Sequence, residues 1–127
     1  MATKAVSRVR RVLQTGSLVF GLSAVILIAI PQVFNELLGF TSSAELEWSM
    51  RMIGITLVAL AGNMFSVATR GKDETVLFSG RVMLISAFAL GVLTLLIPAP
   101  LNWFTIAYSI IGFGFSAAYS WALFAAK

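Results

Sequence analysis

The chain contains no cysteine and no histidine, and acids and bases together make up 11% of its residues. Without cysteine there are no disulfides, no thiolate nucleophiles and no Cys-ligated zinc or iron–sulfur centres. Without histidine the commonest metal and haem ligand is gone, as is the usual proton shuttle near neutral pH. The shortage of charge excludes an ordinary soluble domain, which carries roughly 25% charged residues. With 59% hydrophobic residues, such a domain would expose large apolar patches and aggregate. A bilayer is the solvent that removes this problem. The predicted fold class is therefore all-α, an integral membrane four-helix bundle, and residues 1–127 form a single transmembrane domain. The net charge of +4 is read as membrane orientation, and nucleic acid is not expected as a partner.

The first apolar run, Val12 to Ile30, has 19 residues, eleven of them Val, Leu, Ile or Phe. As a helix it would cover about 28 Å of a hydrocarbon core about 30 Å thick. No A-x-A-like cleavage site follows, so the run is read as a retained anchor. Between Pro31 and Gly39 the residues Phe34, Leu37 and Leu38 share one helical face, with Gln32, Asn35 and Glu36 elsewhere. Pro31 suits a first helical position and Gly39 a C′ cap. This predicts a short interfacial helix; the alternative is a longer first helix kinked at Pro31. Ser42 and Glu45 have capping-box spacing, which starts a second long helix over 43–69, closed by Arg70-Gly71. A third is expected over 73–97, ending at Pro98, and a fourth over 101–126.

Lysine and arginine are distributed unequally. Lys4, Arg8, Arg10, Arg11, Arg70, Lys72, Arg81 and Lys127 would share one side, and only Arg51 the other. The positive-inside rule then puts both termini in the cytoplasm of a cell whose inner (plasma) membrane the chain crosses four times. Trp48 and Trp103 would lie at the outer interface, and Tyr119 and Trp121 toward the inner one. Arg81 would snorkel to phosphates or meet Asp73 or Glu74.

Two polar groupings stand out. Arg51 follows Glu47 by four residues in the favourable acid-then-base order, and Glu45 and Glu36 lie on the same side. These four make either an anchoring ion pair, Glu47–Arg51, or an outer polar site. Within the apolar runs, Asn63, with Thr56 and Ser66, is expected either to hydrogen-bond between helices or to line a cleft. Small residues supply packing faces. Gly114, Ala118, Ala122 and Ala126 recur every four positions, beside a column of Gly112, Ser116 and Ser120. Such faces let helix backbones approach. No Asp, Glu or Lys lies deep in any span. A small proton-coupled exporter would need a buried acid in its first helix, and a retinal protein a mid-helix lysine. No catalytic, cofactor-binding or metal-ligating set emerges, and an enzyme is not expected.

The stretch Pro31 … Leu38-Gly39-Phe40 … Trp48-Ser49-Met50-Arg51-Met52-Ile53-Gly54 … Leu60-Ala61-Gly62 resembles DoxX-like proteins, small bacterial four-helix membrane proteins. The resemblance covers residues 31–62 in sequence and the whole chain in hydropathy. It implies that Arg51 and Gly54 match that family's Arg–Gly pair. It also implies an accessory role beside redox or quinone-linked enzymes. Two functions are carried forward. One is a non-catalytic membrane subunit or scaffold, packing on itself or on a larger membrane complex. The other is a small carrier or lipid- or quinone-binding protein.

Overall fold

The computed structural model describes residues 2–125, excepting the side chains of Ala2 and Thr3. Ala126 and Lys127, named above for the small-residue column and the basic side, lie outside the described residues. The chain is all-α, with five helices and no strand among the described residues. These are α1 (Ala2–Ala29), α2 (Pro31–Leu37), α3 (Ala44–Arg70), α4 (Asp73–Leu95) and α5 (Trp103–Phe124). All but α2 are long and apolar enough to cross a membrane. At 1.5 Å per residue even α5 reaches about 33 Å.

α1 starts ten residues before the expected boundary at Val12. The reason lies within the basic N-terminal segment, where Val6, Val9 and Leu13 fall on one face and are buried. They meet Met64 and Ala68 of α3, Val76 and Met83 of α4, and Tyr119 and Ala122 of α5. This core gathers at the end of the bundle where α1 starts and α3 and α5 finish, called here the basic end. α1 packs along α3, and α4 along α5, while α3 and α4 touch little.

Small residues set the α4–α5 approach. A Cβ at Gly112 would stand 3.0 Å from the Gly91 backbone nitrogen and 3.1 Å from the Ala87 carbonyl oxygen. Ser116 Oγ donates to Leu84 O at 3.1 Å and Ser109 Oγ to Gly91 O at 3.3 Å. The Gly112–Ser116 column is thus the face α4 uses. In the other column Ala122 is buried and Ala118 half-buried. Gly114 is exposed, with nothing within 4 Å of an added Cβ.

The short helix α2 forms as the sequence predicts, separate from α1 and with Pro31 at its start. Gly39 takes a φ of 88°. Its N–H donates to Glu36 O, and the Phe40 N–H to Asn35 O, which together make a Schellman ending. Asn35, expected off the face of Phe34, Leu37 and Leu38, is fully buried. It holds the loop that follows, donating from Nδ2 to Ser42 Oγ at 3.3 Å.

The expected capping box of Ser42 and Glu45 does not form, because the N-cap lies one residue on and the residue three beyond it is Leu46. Ser43 is the N-cap of α3, its Oγ accepting from Leu46 N at 3.1 Å. Ser42 turns away and donates to Glu47 Oε2 at 2.8 Å. Asn102 caps α5 through Thr105 N and also donates to Leu37 O at 3.0 Å, tying the start of α5 to the end of α2.

Candidate functional site

Three arginines act on helix C-termini, where the last carbonyls lack partners and the macrodipole favours a cation. Arg10 donates to Val67 O, Ala68 O and Gly71 O at 3.3, 3.0 and 2.7 Å. Gly71 is extended there, with φ −70°, so no left-handed turn closes the helix and the arginine takes up Ala68 O and Gly71 O, sharing Val67 O with the Gly71 N–H. Arg8 does the same for α5, donating to Ala122 O and Ala125 O at 3.2 and 3.0 Å. Its guanidinium carbon lies 5.2 Å from the Trp121 ring centroid, within cation–π range. Arg51 donates from Nε to Ile28 O at 3.1 Å, near the end of α1.

The outer polar grouping is therefore not assembled around a Glu47–Arg51 pair. Arg51 turns to α1, and Glu47 accepts from Ser42 in the chain Asn35–Ser42–Glu47. Glu36 and Glu45 are exposed. Gly54, three residues beyond Arg51, is buried, and an added Cβ would lie 2.7 Å from Ile28 Cγ1 and 3.3 Å from Ala24 O. The pair has a common structural logic: Gly54 admits α1 closely and Arg51 holds its end. Among the described residues the ion pair is Arg10–Asp73, at 3.4 Å. Arg81 thus does not have Asp73 as its partner.

The polar trio of α3 does not line a cleft. Asn63, Thr56 and Ser66 are all exposed on the outer face of α3. Asn63 Nδ2 donates back to Ala59 O of its own helix at 2.8 Å, and Thr56 Oγ1 to Met52 O at 3.0 Å. Spacing along the chain does not tell which side of the helix they occupy.

The feature that the sequence reading missed is a cavity of about 400 Å³ on the opposite side of α3. It lies above the basic-end core, where α3 and α4 part. Gly16, Ser23 and Leu27 line it from α1, Ile53 and Leu57 from α3, Ala87 and Leu93 from α4, and Tyr108, Gly112 and Tyr119 from α5. Phe34 and Leu38 close one end. Phe34 is held there by edge contacts at 5.5 Å with Phe104 and Tyr108. A second hollow of about 320 Å³ shares Phe34, Leu90 and Tyr108 with it and runs on to Pro98. Ile53 and Leu93, at 47% and 66% exposed, mark where the cavity meets the surroundings, between α3 and α4.

The lining is almost wholly apolar, with a few hydroxyls. Ser23 Oγ and Tyr108 OH bond each other at 3.0 Å, and Thr94 Oγ1 donates to Leu90 O at 2.6 Å. Tyr119 is 1% exposed, not at the surface as an inner aromatic belt would need. Its hydroxyl has no hydrogen-bond partner among the described residues. A Cβ added at Gly16 would stand 3.2 Å from that oxygen and 2.8 Å from Met64 Cε, so glycine makes room for both. Among the described residues no three acidic side chains gather to hold a metal. Compared with known proteins, the chain matches no family model, no curated protein and no solved structure.

Proposed function

We propose that this is a multi-pass protein of a cell's inner membrane that binds a lipophilic small molecule drawn sideways from the bilayer. In this reading the basic end faces the cytoplasm, following Lys4, Arg8, Arg10, Arg11, Arg70, Lys72 and Arg81. The observation that carries the proposal is the apolar cavity between α3 and α4. Its volume falls within the roughly 300–1,000 Å³ of small-molecule sites. Apolar cavities accept apolar ligands. An opening flanked by Ile53 and Leu93 would face lipid, the one phase that holds such ligands at high concentration. The reading is non-catalytic, and it takes up the lipid- or quinone-binding alternative. The DoxX-like resemblance is kept as part of the proposal.

Leu57 tests it. This half-buried α3 residue borders the cavity, so Leu57→Trp should fill empty space. Binding of tritiated dodecane to the purified chain in mild detergent is expected to be lost, while the midpoint of thermal unfolding holds or rises. Unchanged dodecane binding by Leu57→Trp would reject the cavity as the site.

A second reading, a subunit that self-associates, has its own observation. Asn63 presents its amide outward from α3, beside Gly62, which has open space around it. In hydrocarbon such an amide gains from a partner on another helix, by about 0.6 kcal/mol on average. Asn63→Leu should then weaken dimer formation in bilayers, followed by energy transfer between labelled copies, about threefold. No change would remove α3 as the contact.

A further inference from the structure

The cavity is not uniform along its length, and the difference names the kind of molecule it suits. Tyr108 and Tyr119 are eleven residues apart on α5, about 16 Å along the helix. At the Tyr108 end the hydroxyls of Ser23 and Tyr108 bond each other. At the Tyr119 end the hydroxyl is buried and unpartnered. Burying a hydroxyl without a hydrogen bond is unfavourable, and buried polar side chains are with few exceptions paired. A phenol O–H needs an oxygen acceptor, and a bound molecule can supply one when the Met64 methyl, the flexible neighbour in the same gap beside Gly16, swings aside. No lysine or arginine lines the cavity, so an anionic acceptor would be a buried charge without a counter-ion.

Resting on the cavity reading above, we propose that the ligand is an uncharged, elongated lipophile whose carbonyl or ether oxygen accepts a hydrogen bond from Tyr119. The oxygen enters first and lies toward the basic end beside Gly16 and Met64. The apolar remainder runs toward Phe34 and Leu38. Gly16 is part of the recognition, because a methyl group there would crowd the hydroxyl.

The test compares tritiated methyl laurate, laurate and dodecane by scintillation proximity on the full chain in mild detergent. Tyr119→Phe keeps the ring and removes only the oxygen. It should weaken methyl laurate between about two- and tenfold and leave dodecane unchanged. Laurate should bind the wild type more weakly than its ester. Equal methyl laurate affinity in wild type and Tyr119→Phe would overturn the proposal, leaving the cavity reading intact if dodecane still binds. Weakening by Tyr108→Phe in place of Tyr119→Phe would also overturn it, since the ligand would then sit the other way round. Laurate binding as tightly as the ester would overturn it too. Failure of all three probes to bind the wild type would reject the cavity reading itself.

Discussion

Gly112→Val is expected to lower the stability of the bundle by about 3 kcal/mol or more, the upper part of the range for overpacking. The atoms in the way belong to backbone. The added Cβ would meet the nitrogen and Cα of Gly91 and the carbonyl oxygen of Ala87 at 3.0–3.1 Å. No rotamer change can clear them, so α4 must move off α5. That movement would also stretch the bonds from Ser109 to Gly91 O and from Ser116 to Leu84 O. Gly114→Val, two residues along the same helix, is the control. Nothing lies within 4 Å of its Cβ, and valine is a better helix former than glycine. Its effect should stay within about 0.5 kcal/mol. Denaturant titration of both variants in detergent reads the difference, and equal losses would mean that the close approach of α4 and α5 is not what holds them.

The second large effect is expected at Arg10. Arg10→Met keeps the apolar stem and removes the fork that meets Val67 O, Ala68 O and Gly71 O. Hydrogen bonds from a charged donor contribute about 1.5–3 kcal/mol, and a cation at a helix C-terminus about 0.3–1. These terms overlap, so a loss of about 2–3 kcal/mol is expected. Asp73→Asn removes only the ion-pair charge at a site where the carboxylate side chain is 69% exposed. It should change stability by about 0.5 kcal/mol or less. If Arg10→Met is as mild as Asp73→Asn, water satisfies these carbonyls equally well and the arginine is no cap.

Much of the fold was legible because it depends on properties read along the chain. Run length gave the four long helices, Pro31 and Gly39 bounded α2, and Arg70-Gly71 closed α3. The early start of α1 was also written in the sequence, in the spacing of Val6, Val9 and Leu13, but the interleaved Arg8, Arg10 and Arg11 hid it. What failed needed knowledge of which way a residue faces around its helix. Asn63 and Tyr119 were placed along their helices but on the wrong sides of them: the amide faces out and the phenol faces in. The cavity could not be read from the chain, since it is the gap left where α3 and α4 diverge over Gly16, Ala87 and Gly112. The arginine caps escaped for a similar reason. A charge count assigns a residue to one end of a bundle and says nothing about which carbonyls it will reach.

The two latches at the basic end also impose an order on assembly during synthesis. Arg10 lies 57 to 61 residues from the carbonyls it caps, so the α1–α3 unit can fasten as soon as α3 has been made. Arg8 must wait for carbonyls 114 and 117 residues away. Its latch closes only when the C-terminal turn of α5 has left the ribosome. Of the five helices the first is thus both the earliest to be made and the last to be fully engaged.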